Sequence, residues 1–507
     1  MTDYPDSGIQ VIGVPAGEED AAWQRVRDAC ASLTDWGEKC LRGGLDGYVR
    51  SIAVEPRYIC KDFRDLYSHF YSKKFVDRPS RCGRLHFFAD PVSSTESMIF
   101  QNEELASSYM GYTVVQPVKD RCLGRTMIDP FSLGHAEEEF WCLRTPTRMH
   151  LNGARYIVQA YPWMSQSGEA TVCAHAALWG ICRYLSERYN VYQEVHPYDL
   201  IEMMGTARGR RVPYRGMTYS DYCDILAAFG CHPVILTART DQSDWTQDRD
   251  FFYNLYAFVE SGFPVLISYR GHAATLVGHT MDTAASLDAP EHGMFYNSFS
   301  FLKQFVAMDD NFFPYQLLGF RDDPEDYGRP FSNLPHGASI DSIFAAIVPL
   351  PEKAFLPPDK ARSLSYRFLS QRQVKPLIEK TLDRIGLRAD EPLIARPFLT
   401  SSISFKKRKR LCARGQLDGC RDDLARVPID LHLPHFIWVM EIAPASTYRH
   451  RKCIAEVVLD ASESEDECEY VYIRIGDRVI REDRLAVVKG APTQFVQYTH
   501  NLGERGT

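Results

Sequence analysis

The order of elements between residues 148 and 350 constrains the fold of this chain more than any other feature. A strand-like run over 154–161 leads through a polar loop into a helical pattern that begins near Cys173. Apolar residues recur on one face of this helix at the spacing i, i+3, i+4 and i+7. These residues are Ala174, Ala177, Leu178, Ile181 and Leu185. The sequence therefore predicts a buried amphipathic helix that starts at a cysteine.

Local patterns also predict the later elements of this region. Helical spacing over 221–229 ends at Gly230, and a further helical pattern over 251–260 stops at Ser261 and Gly262. Short apolar runs bounded by turn residues predict four strands. These strands cover 233–236, 264–268, 273–278 and 305–308. The mixture of helices and strands predicts an α+β fold.

The 507 residues correspond to about three domains of ordinary size. Prolines at 349, 351, 357 and 358 mark a connector between the region just described and the rest of the chain. The predicted segments are a helical lead-in over 1–47, a small α+β domain over 48–147, the region over 148–350 and a C-terminal domain over 351–507. We expect the C-terminal domain to be helical over 359–385 and then to form an antiparallel meander. Its predicted strands cover 436–442, 453–460 and 469–475.

Composition and charge exclude several classes of protein. The net charge is −8 and the pI is about 6.0, so no overall positive field attracts nucleic acid or anionic lipid. No run approaches the ~18 apolar residues of a membrane-spanning helix, and the N-terminus has no signal-peptide pattern. We therefore expect a cytoplasmic protein with no membrane partner. The basic run Lys406–Arg410 is the one feature that suggests nucleic acid, and we interpret it as a solvated loop.

Fourteen cysteines raise the question of disulfides, metals and reactive thiols. None lies in a C-x-x-C pair, and no zinc-finger spacing occurs. A long cytosolic chain keeps such thiols reduced, and most of them are expected to be small buried residues. We therefore predict no cofactor and no metal, and ask whether one thiol differs from the rest.

Cys173 differs because it lies at a predicted helix N-terminus. Unpaired N–H groups and the positive end of the helix dipole stabilise a thiolate there. The side-chain amide of Gln166, upstream in the polar loop, is placed to help the Cys173 N–H bind an oxyanion. The alternative interpretation is that Cys173 begins an ordinary core helix and Gln166 is a solvated loop residue.

Two later motifs supply the partners that a nucleophilic cysteine needs. His272 stands at the start of an apolar strand, where an imidazole can emerge and act as a general base. His279 ends the same strand about 20 Å away, so we assign it a structural role. Acidic residues that end the next strand, Asp309 and Asp310, are candidates to orient the imidazole. Taken singly, the histidine is also typical of a buried core residue and the acids of a loop start.

The order of these motifs resembles the papain-like cysteine peptidases, and in spacing the bacterial leader-peptidase type. The elements that carry the resemblance are the helix start from Gln166 to Cys173, the strand over 262–267, the strand from His272 to Gly278 and the strand that ends in Asp309 and Asp310. The segments near Cys173 and Asp309 also resemble uncharacterised bacterial proteins of that fold. The resemblance spans about 200 of the 507 residues. It requires an insertion around 281–300 to loop out.

The resemblance implies a papain-like fold and assigns four roles. Cys173 is the nucleophile, His272 the base, Asp310 the orienting acid with Asp309 as its rival, and Gln166 the oxyanion-hole amide. The implied activity is hydrolysis of peptide or isopeptide bonds through an acyl-enzyme. Acyl transfer or deamidation would use the same residues, and a catalytically silent binding or scaffold protein is the other alternative. A protein or peptide substrate is the expected partner, and the flanking domains are candidates to bind a regulatory protein.

Overall fold

The computed structural model describes residues 8–93, 103–134, 139–204, 216–239, 248–269, 271–287, 289–320, 339–416, 422–464, 469–482, 484–488, 491–498 and 502. Within these ranges the chain mixes α-helices with mostly antiparallel strands, which confirms the predicted α+β class. No helix in the described part of the chain is long and apolar enough to cross a membrane.

The N-terminal part forms a five-stranded antiparallel sheet, in the order β1–β2–β3–β4–β5. Its strands are β1 (Gln10–Gly13), β2 (Ser51–Tyr58), β3 (Cys82–Phe88), β4 (Tyr109–Val115) and β5 (Leu123–Ile128). The helices in this part are α1 (Glu19–Ala29), α2 (Asp35–Leu45), α3 (Lys61–His69) and α4 (Glu103–Ser107). The expected lead-in over 1–47 is therefore not separate from the next segment, because β1 is the edge strand of its sheet.

A hairpin connects this sheet to the region of the candidate site. It consists of β7 (Thr145–Leu151) and β8 (Ala154–Ala160), as predicted for the second strand. Asn152 and Gly153 form its two-residue turn with φ of 49° and 84°. Two successive positive φ values suit the right-handed twist of a hairpin, and Asn-Gly is the pair that adopts them most readily.

The central sheet is antiparallel in the order β14–β13–β11–β10–β15–β9, and β6 (Phe140–Cys142) also pairs with β11. The other strands are β9 (His232–Thr237), β10 (Val265–Tyr269), β11 (His272–Met281), β13 (Leu302–Met308), β14 (Gln316–Gly319) and β15 (Ile343–Leu350). The helices are α5 (Cys173–Arg188), α6 (Pro197–Met203), α7 (Tyr219–Phe229) and α8 (Arg249–Glu260). The predicted helices and strands of this region are confirmed, with ends that shift by one to three residues.

Both faces of the central sheet are buried, against two different hydrophobic cores. Leu266, Ala273 and Val277 belong to the core that contains α5 and the N-terminal sheet. Val265 and Leu276 belong to the core that contains α8 and the C-terminal sheet. Successive residues of a strand point to opposite faces, so these strands are almost continuously apolar. The core around α5 crosses the predicted boundary at 147–148 without interruption.

The C-terminal sheet has the order β12–β16–β17–β19–β20–β21–β22. Its strands are β12 (Phe295–Asn297), β16 (Leu393–Ser401), β17 (Phe436–Pro444), β19 (Ala455–Asp460), β20 (Tyr470–Ile475), β21 (Arg478–Arg481) and β22 (Arg484–Val487), and β18 (Lys452–Cys453) pairs with β23 (Phe495–Val496). The helices are α9 (Pro358–Leu369), α10 (Lys375–Arg384), α11 (Ser402–Ala413) and α12 (Val427–Asp430). The predicted antiparallel meander is confirmed by β17, β19 and β20.

The insertion around 281–300 leaves the central sheet, as expected, but does not end as a free loop. Its residues at 295–297 form β12, which pairs in parallel with β16 of the C-terminal sheet. The insertion therefore links the sheet that carries His272 to the sheet that follows the proline connector.

The basic run does not form the solvated loop that the sequence analysis expected, because it lies on α11. The Lys409 side chain is buried, with its Nζ 2.6 Å from a carboxylate oxygen of Glu456. Lys406 Nζ donates to main-chain carbonyl oxygens of Ile429 and Leu431 at 3.2 and 2.5 Å. Two of the five bases thus stabilise the domain internally, which leaves a weaker basic surface than the sequence suggests.

Candidate active site

Cys173 is the first residue of α5, as predicted. The preceding residue, Val172, is extended with φ of −112° and ψ of 174°, so the chain turns sharply into the helix at the cysteine. Cys173 is partly exposed, whereas most of the helix behind it is buried. Cys173 therefore lies at the positive end of the helix dipole and is partly accessible to solvent.

The loop before the helix is fixed by hydrogen bonds within itself. The Ser167 N–H donates to Thr171 Oγ1 at 2.9 Å, and the Ala170 and Thr171 N–H groups donate to Ser167 Oγ at 2.9 and 3.0 Å. Gly168 adopts φ of 69°, a left-handed conformation that glycine accepts without strain. The loop thus holds the entry to α5, and with it Cys173, in one geometry.

His272 is the first residue of β11, where a tight turn joins it to β10. Tyr269 and His272 are register partners across this turn, and Gly271 has φ of 76°. β11 also pairs with β13, with Thr275 opposite Met308. Residues that follow Met308 therefore come level with His272, whose side chain is 21% exposed.

Asp309, directly after β13, makes the hydrogen bond to the histidine. His272 Nε2 lies 3.0 Å from Asp309 Oδ1. The same oxygen accepts from the Asn311 main-chain N–H at 2.9 Å, and Asp309 Oδ2 accepts from the Tyr269 hydroxyl. The Trp163 indole N–H donates to the Asp309 carbonyl oxygen at 2.9 Å. Asp309 is therefore fixed on several sides, as an orienting acid must be.

The Cys173 thiol also interacts with the His272 imidazole and acts to raise its pKa, so the three groups form one series. Burial acts to lower the pKa of His272, but the interactions with Asp309 and Cys173 outweigh it and raise that pKa to about 10. Burial acts to raise the pKa of Asp309, yet His272 and the Tyr269 hydroxyl hold it below its ordinary value. The imidazole is therefore protonated at neutral pH. Because Nε2 faces Asp309, Nδ1 is the ring nitrogen that remains to exchange a proton with the thiol.

Asp310, the acid that the sequence analysis preferred, has a different environment. Its Oδ1 lies 3.4 Å from His272 Nε2, and neither of its oxygens forms a well-aligned hydrogen bond. The residue is 4% exposed. Burial, and then the negative charge of Asp309, raises the pKa of Asp310 to about 7. By distance and hydrogen bonding the structure favours Asp309, the rival in the sequence analysis, as the acid that orients His272.

Gln166 lies half-buried beside the same carboxyl group. Its main-chain N–H approaches Asp310 and acts to lower the pKa of that acid. The structure thus brings all four predicted residues, Gln166, Cys173, His272 and Asp310, into one neighbourhood, together with Asp309.

A narrow cleft of about 250 Å³ opens beside the sulfur. It extends along the inner face of α5 towards β11 and β13. Its apolar and polar lining residues come from segments that are far apart in sequence. Its lining includes Tyr161, Trp163, Cys173, Thr275, Met308 and Asp310. Asp310 and Cys173 therefore line the same space.

One group of side chains in the described residues has the spacing that a metal ion needs. One ligand atom each from His272, Asp309 and Asp310 can be chosen so that all lie within 4.8 Å of one another. These residues come from two strand ends 37 positions apart in sequence, which explains why no ligand motif was visible.

Three residues that contact or act on Asp309 and Asp310 were not predicted from the sequence. Tyr269 and Trp163 donate to Asp309, and the positive charge of Arg121, in the N-terminal part, acts to lower the pKa of Asp310. Only Tyr269 had a usable signal, because it lies three residues before His272 across a glycine turn. Trp163 and Arg121 reach the site through tertiary packing alone.

His279 lies towards the other end of the strand, where it lines a small cavity together with Glu260 and Arg396. Its side chain is 2% exposed, with Nε2 2.5 Å from Glu260 Oε2. Glu260 Oε1 in turn accepts from Arg396 at 2.7 Å. The structural role predicted for His279 is consistent with these contacts.

Comparisons of the whole chain with protein-family models, with curated proteins and with solved structures find no match.

Proposed function

We propose that this protein is a cysteine-dependent hydrolase of papain-like type that cleaves peptide or isopeptide bonds. The observation that carries the proposal is the series of contacts from Asp309 through His272 to Cys173, at the start of a helix. A nucleophile, a base and a group that orients the base are the three parts that acyl transfer requires. The order of the motifs, which resembles the bacterial leader-peptidase type, supports the same proposal.

In the proposed reaction the Cys173 sulfur attacks the carbonyl carbon of the scissile amide. The oxyanion that forms is bound by the Cys173 main-chain N–H and by the side-chain amide of Gln166. His272 donates its proton to the leaving nitrogen as the C–N bond breaks, which leaves a thioester on Cys173. Water then attacks the thioester and gives its proton to His272, so one amide and one water yield one acid and one amine.

Asp309 acts on this reaction through the imidazole and is a positioning residue. Its Oδ1 accepts the hydrogen bond from Nε2 and so directs Nδ1 to the sulfur. It also stabilises the imidazolium that is present before the leaving nitrogen is protonated and again after water has given up its proton. The donors on Asp309 keep its carboxylate in place while the histidine changes charge.

Acyl transfer and deamidation share the thioester step and differ in the leaving group and in the acceptor. Peptide cleavage releases a new N-terminus, deamidation releases ammonia, and acyl transfer joins the acyl group to an amine other than water. The products therefore distinguish these reactions, although the residues do not.

The test is a proteome-wide cleavage assay that compares the wild type with Cys173→Ala. Cys223→Ala is the matched control, because Cys223 is also a partly exposed free thiol but lies on α7. We expect new peptide termini with the wild type and with Cys223→Ala, and none with Cys173→Ala. Equal products from all three proteins would exclude cleavage by Cys173.

A second measurement tests the thiol without a substrate. Iodoacetamide near pH 6 should modify Cys173 before the other cysteines, because an imidazolium beside the sulfur favours the reactive thiolate. Peptide mapping by mass spectrometry gives the rate at each cysteine. If Cys173 reacts no faster than Cys223, a catalytically silent binding protein becomes the better interpretation.

A further inference from the structure

We infer that His272, Asp309 and Asp310 also form a binding site for one divalent transition-metal ion, with Zn²⁺ as the expected occupant, and that this ion switches the thiol chemistry off. The inhibitory part of this inference rests on the proposed function of the same site. The binding part rests on the contacts of the three side chains alone.

The ligand atoms have the separations that a metal ion imposes. His272 Nε2 lies 3.0 Å from Asp309 Oδ1 and 3.4 Å from Asp310 Oδ1. Zinc bonds to histidine nitrogen and carboxylate oxygen are about 2.0–2.2 Å long, which places neighbouring ligand atoms roughly 3.0–3.6 Å apart. An ion could therefore enter between the three atoms with small movements of the side chains.

Asp310 provides an independent indication that a ligand belongs here. It is 4% exposed, both of its oxygens are buried, and neither has a hydrogen-bond partner. It also lines the cleft beside Cys173. Its polar neighbours are the Gln166 main-chain N–H and His272 Nε2, and neither makes a well-aligned hydrogen bond with it. Burial of a carboxyl group with such weak contacts is costly, and a second carboxylate next to it adds repulsion. A bound cation removes both costs at once.

The donor set indicates which cations fit. Mg²⁺ and Ca²⁺ prefer oxygen ligands only, whereas an imidazole nitrogen with two carboxylates suits Zn²⁺ and the neighbouring transition metals. The Asp309 carboxylate already receives hydrogen bonds from Tyr269 and Asn311. Such outer contacts orient metal ligands and strengthen binding.

A bound metal ion would interfere with catalysis through one atom, His272 Nε2. The metal would bond to His272 Nε2, the nitrogen that otherwise donates to Asp309. That nitrogen must lose its proton to solvent before it can bind the ion. The ring bound to the ion would keep its one remaining proton on Nδ1, so Nδ1 could no longer take a proton from the thiol or from water, and the metal would hold the base out of the reaction.

The binding test is titration calorimetry with Zn²⁺ at neutral pH on Cys173→Ala, which excludes binding by the thiol itself. We expect one ion per chain with release of protons to the buffer. Asp310→Asn and Asp310→Ala in the same background should each weaken binding at least about tenfold. Asp390→Asn is the matched control, because Asp390 is an exposed acid paired with Arg388, and it should bind like the parent.

No binding to Cys173→Ala, or binding that both Asp310 variants leave unchanged, would overturn the site. Two variants are used so that a folding defect in one, which circular dichroism would reveal, still leaves a valid comparison.

The inhibition test follows iodoacetamide modification of Cys173 in the wild type. Zn²⁺ should slow it, EDTA should restore it, and Asp310→Asn should need at least about tenfold more Zn²⁺ for the same effect. Modification that Zn²⁺ does not slow would refute the switch. Zinc binding without any substrate cleavage would refute the proposed hydrolase and leave the site, whereas cleavage without zinc binding would do the reverse.

Discussion

The strand β11 carries two histidines in opposite settings. His272, at its start, is 21% exposed and contacts a thiol and Asp309. His279, near its end, is 2% exposed and contacts Glu260, which in turn is paired with Arg396. Arg396 also donates to Glu441 at 2.6 Å. The residue type and the strand are the same, so the role of each histidine depends on its partners and on its access to solvent.

The difference teaches how a functional cluster is distinguished from a structural one. Around His279 each carboxylate is bonded to a buried cation, and the cluster joins the central sheet to the C-terminal sheet. Around His272 two carboxyl groups face one imidazole, and neither Asp310 oxygen forms a well-aligned hydrogen bond. Both clusters border a cavity, so it is the pairing of charges that distinguishes them: carboxyl groups left without well-aligned partners are typical of functional sites, whereas fully paired ions are typical of structural ones.

The largest expected effect comes from exchanging the two histidines for alanine. His272→Ala should lower kcat/KM at least about 10³-fold, because it removes the base and the proton donor. His279→Ala should leave the folded protein active and reduce its stability instead. Kinetics on a cleaved substrate and urea unfolding measure the two effects. The comparison fails if His279→Ala abolishes activity in protein that is still folded.

Breaking the structural cluster at its cation is expected to have the next largest effect. Arg396→Leu leaves Glu260 and Glu441 buried without their partner, and should cost about 3–5 kcal/mol of unfolding free energy. Arg388→Leu, which removes an exposed ion pair with Asp390, should leave the urea midpoint unchanged. Iodoacetamide modification of Cys173 in the folded protein should be the same in both variants. Faster or slower modification in Arg396→Leu would show that the two clusters are coupled.

Substitutions of the two adjacent acids, Asp309 and Asp310, should lower kcat/KM by factors that differ roughly tenfold or more. In EDTA, Asp309→Asn should lower kcat/KM about 10²-fold or further, because Asn cannot stabilise the imidazolium in the same way. Asp310→Asn should change it less than about tenfold, since Asp310 does not hold the His272 hydrogen bond. The reverse ranking in steady-state kinetics would restore Asp310 as the orienting acid.

The last expected effect is the part of the pH dependence of stability that comes from His272. The pKa of His272 is raised from its ordinary value of 6.5 to about 10, so its charged form favours the folded state. That contribution is complete below pH 6.5 and is lost as the pH rises through 10. The difference in unfolding free energy between the wild type and His272→Gln should therefore shrink from pH 6.5 to pH 10. A difference that stays constant over this range in urea titrations would contradict the raised pKa.

The elements that could be predicted from the sequence are those set by local periodicity. The start of α5 at Cys173, helix α8 and the strand that begins at His272 follow from apolar spacing and from turn residues nearby. The choice between Asp309 and Asp310 could not be made, because the chain turns after β13 and the alternation of a strand no longer tells where each side chain points. The helical basic run was missed because Lys409 depends on Glu456, 47 residues away.

The strand β12 was beyond prediction for a similar reason. It has three residues and no alternating pattern, and its partner β16 lies about a hundred residues further along the chain. Trp163 and Arg121 reach the site from segments with no chemical motif of their own. In each case the position depends on contacts between distant parts of the chain, which local sequence patterns do not reveal.

Because both faces of the central sheet are buried, recombination can transfer only certain parts of the gene as a foldable unit. One face packs against the N-terminal segment and α5, and the other face packs against the C-terminal segment. A gene that encoded residues 148–350 alone would keep α5 and α8 but lose the flanking segments that complete both cores, so the apolar surface that these segments cover would be exposed to water and prone to aggregation. We therefore expect recombination to transfer all three sheets together and never residues 148–350 alone. The N-terminal and C-terminal segments should then be inherited together with Cys173.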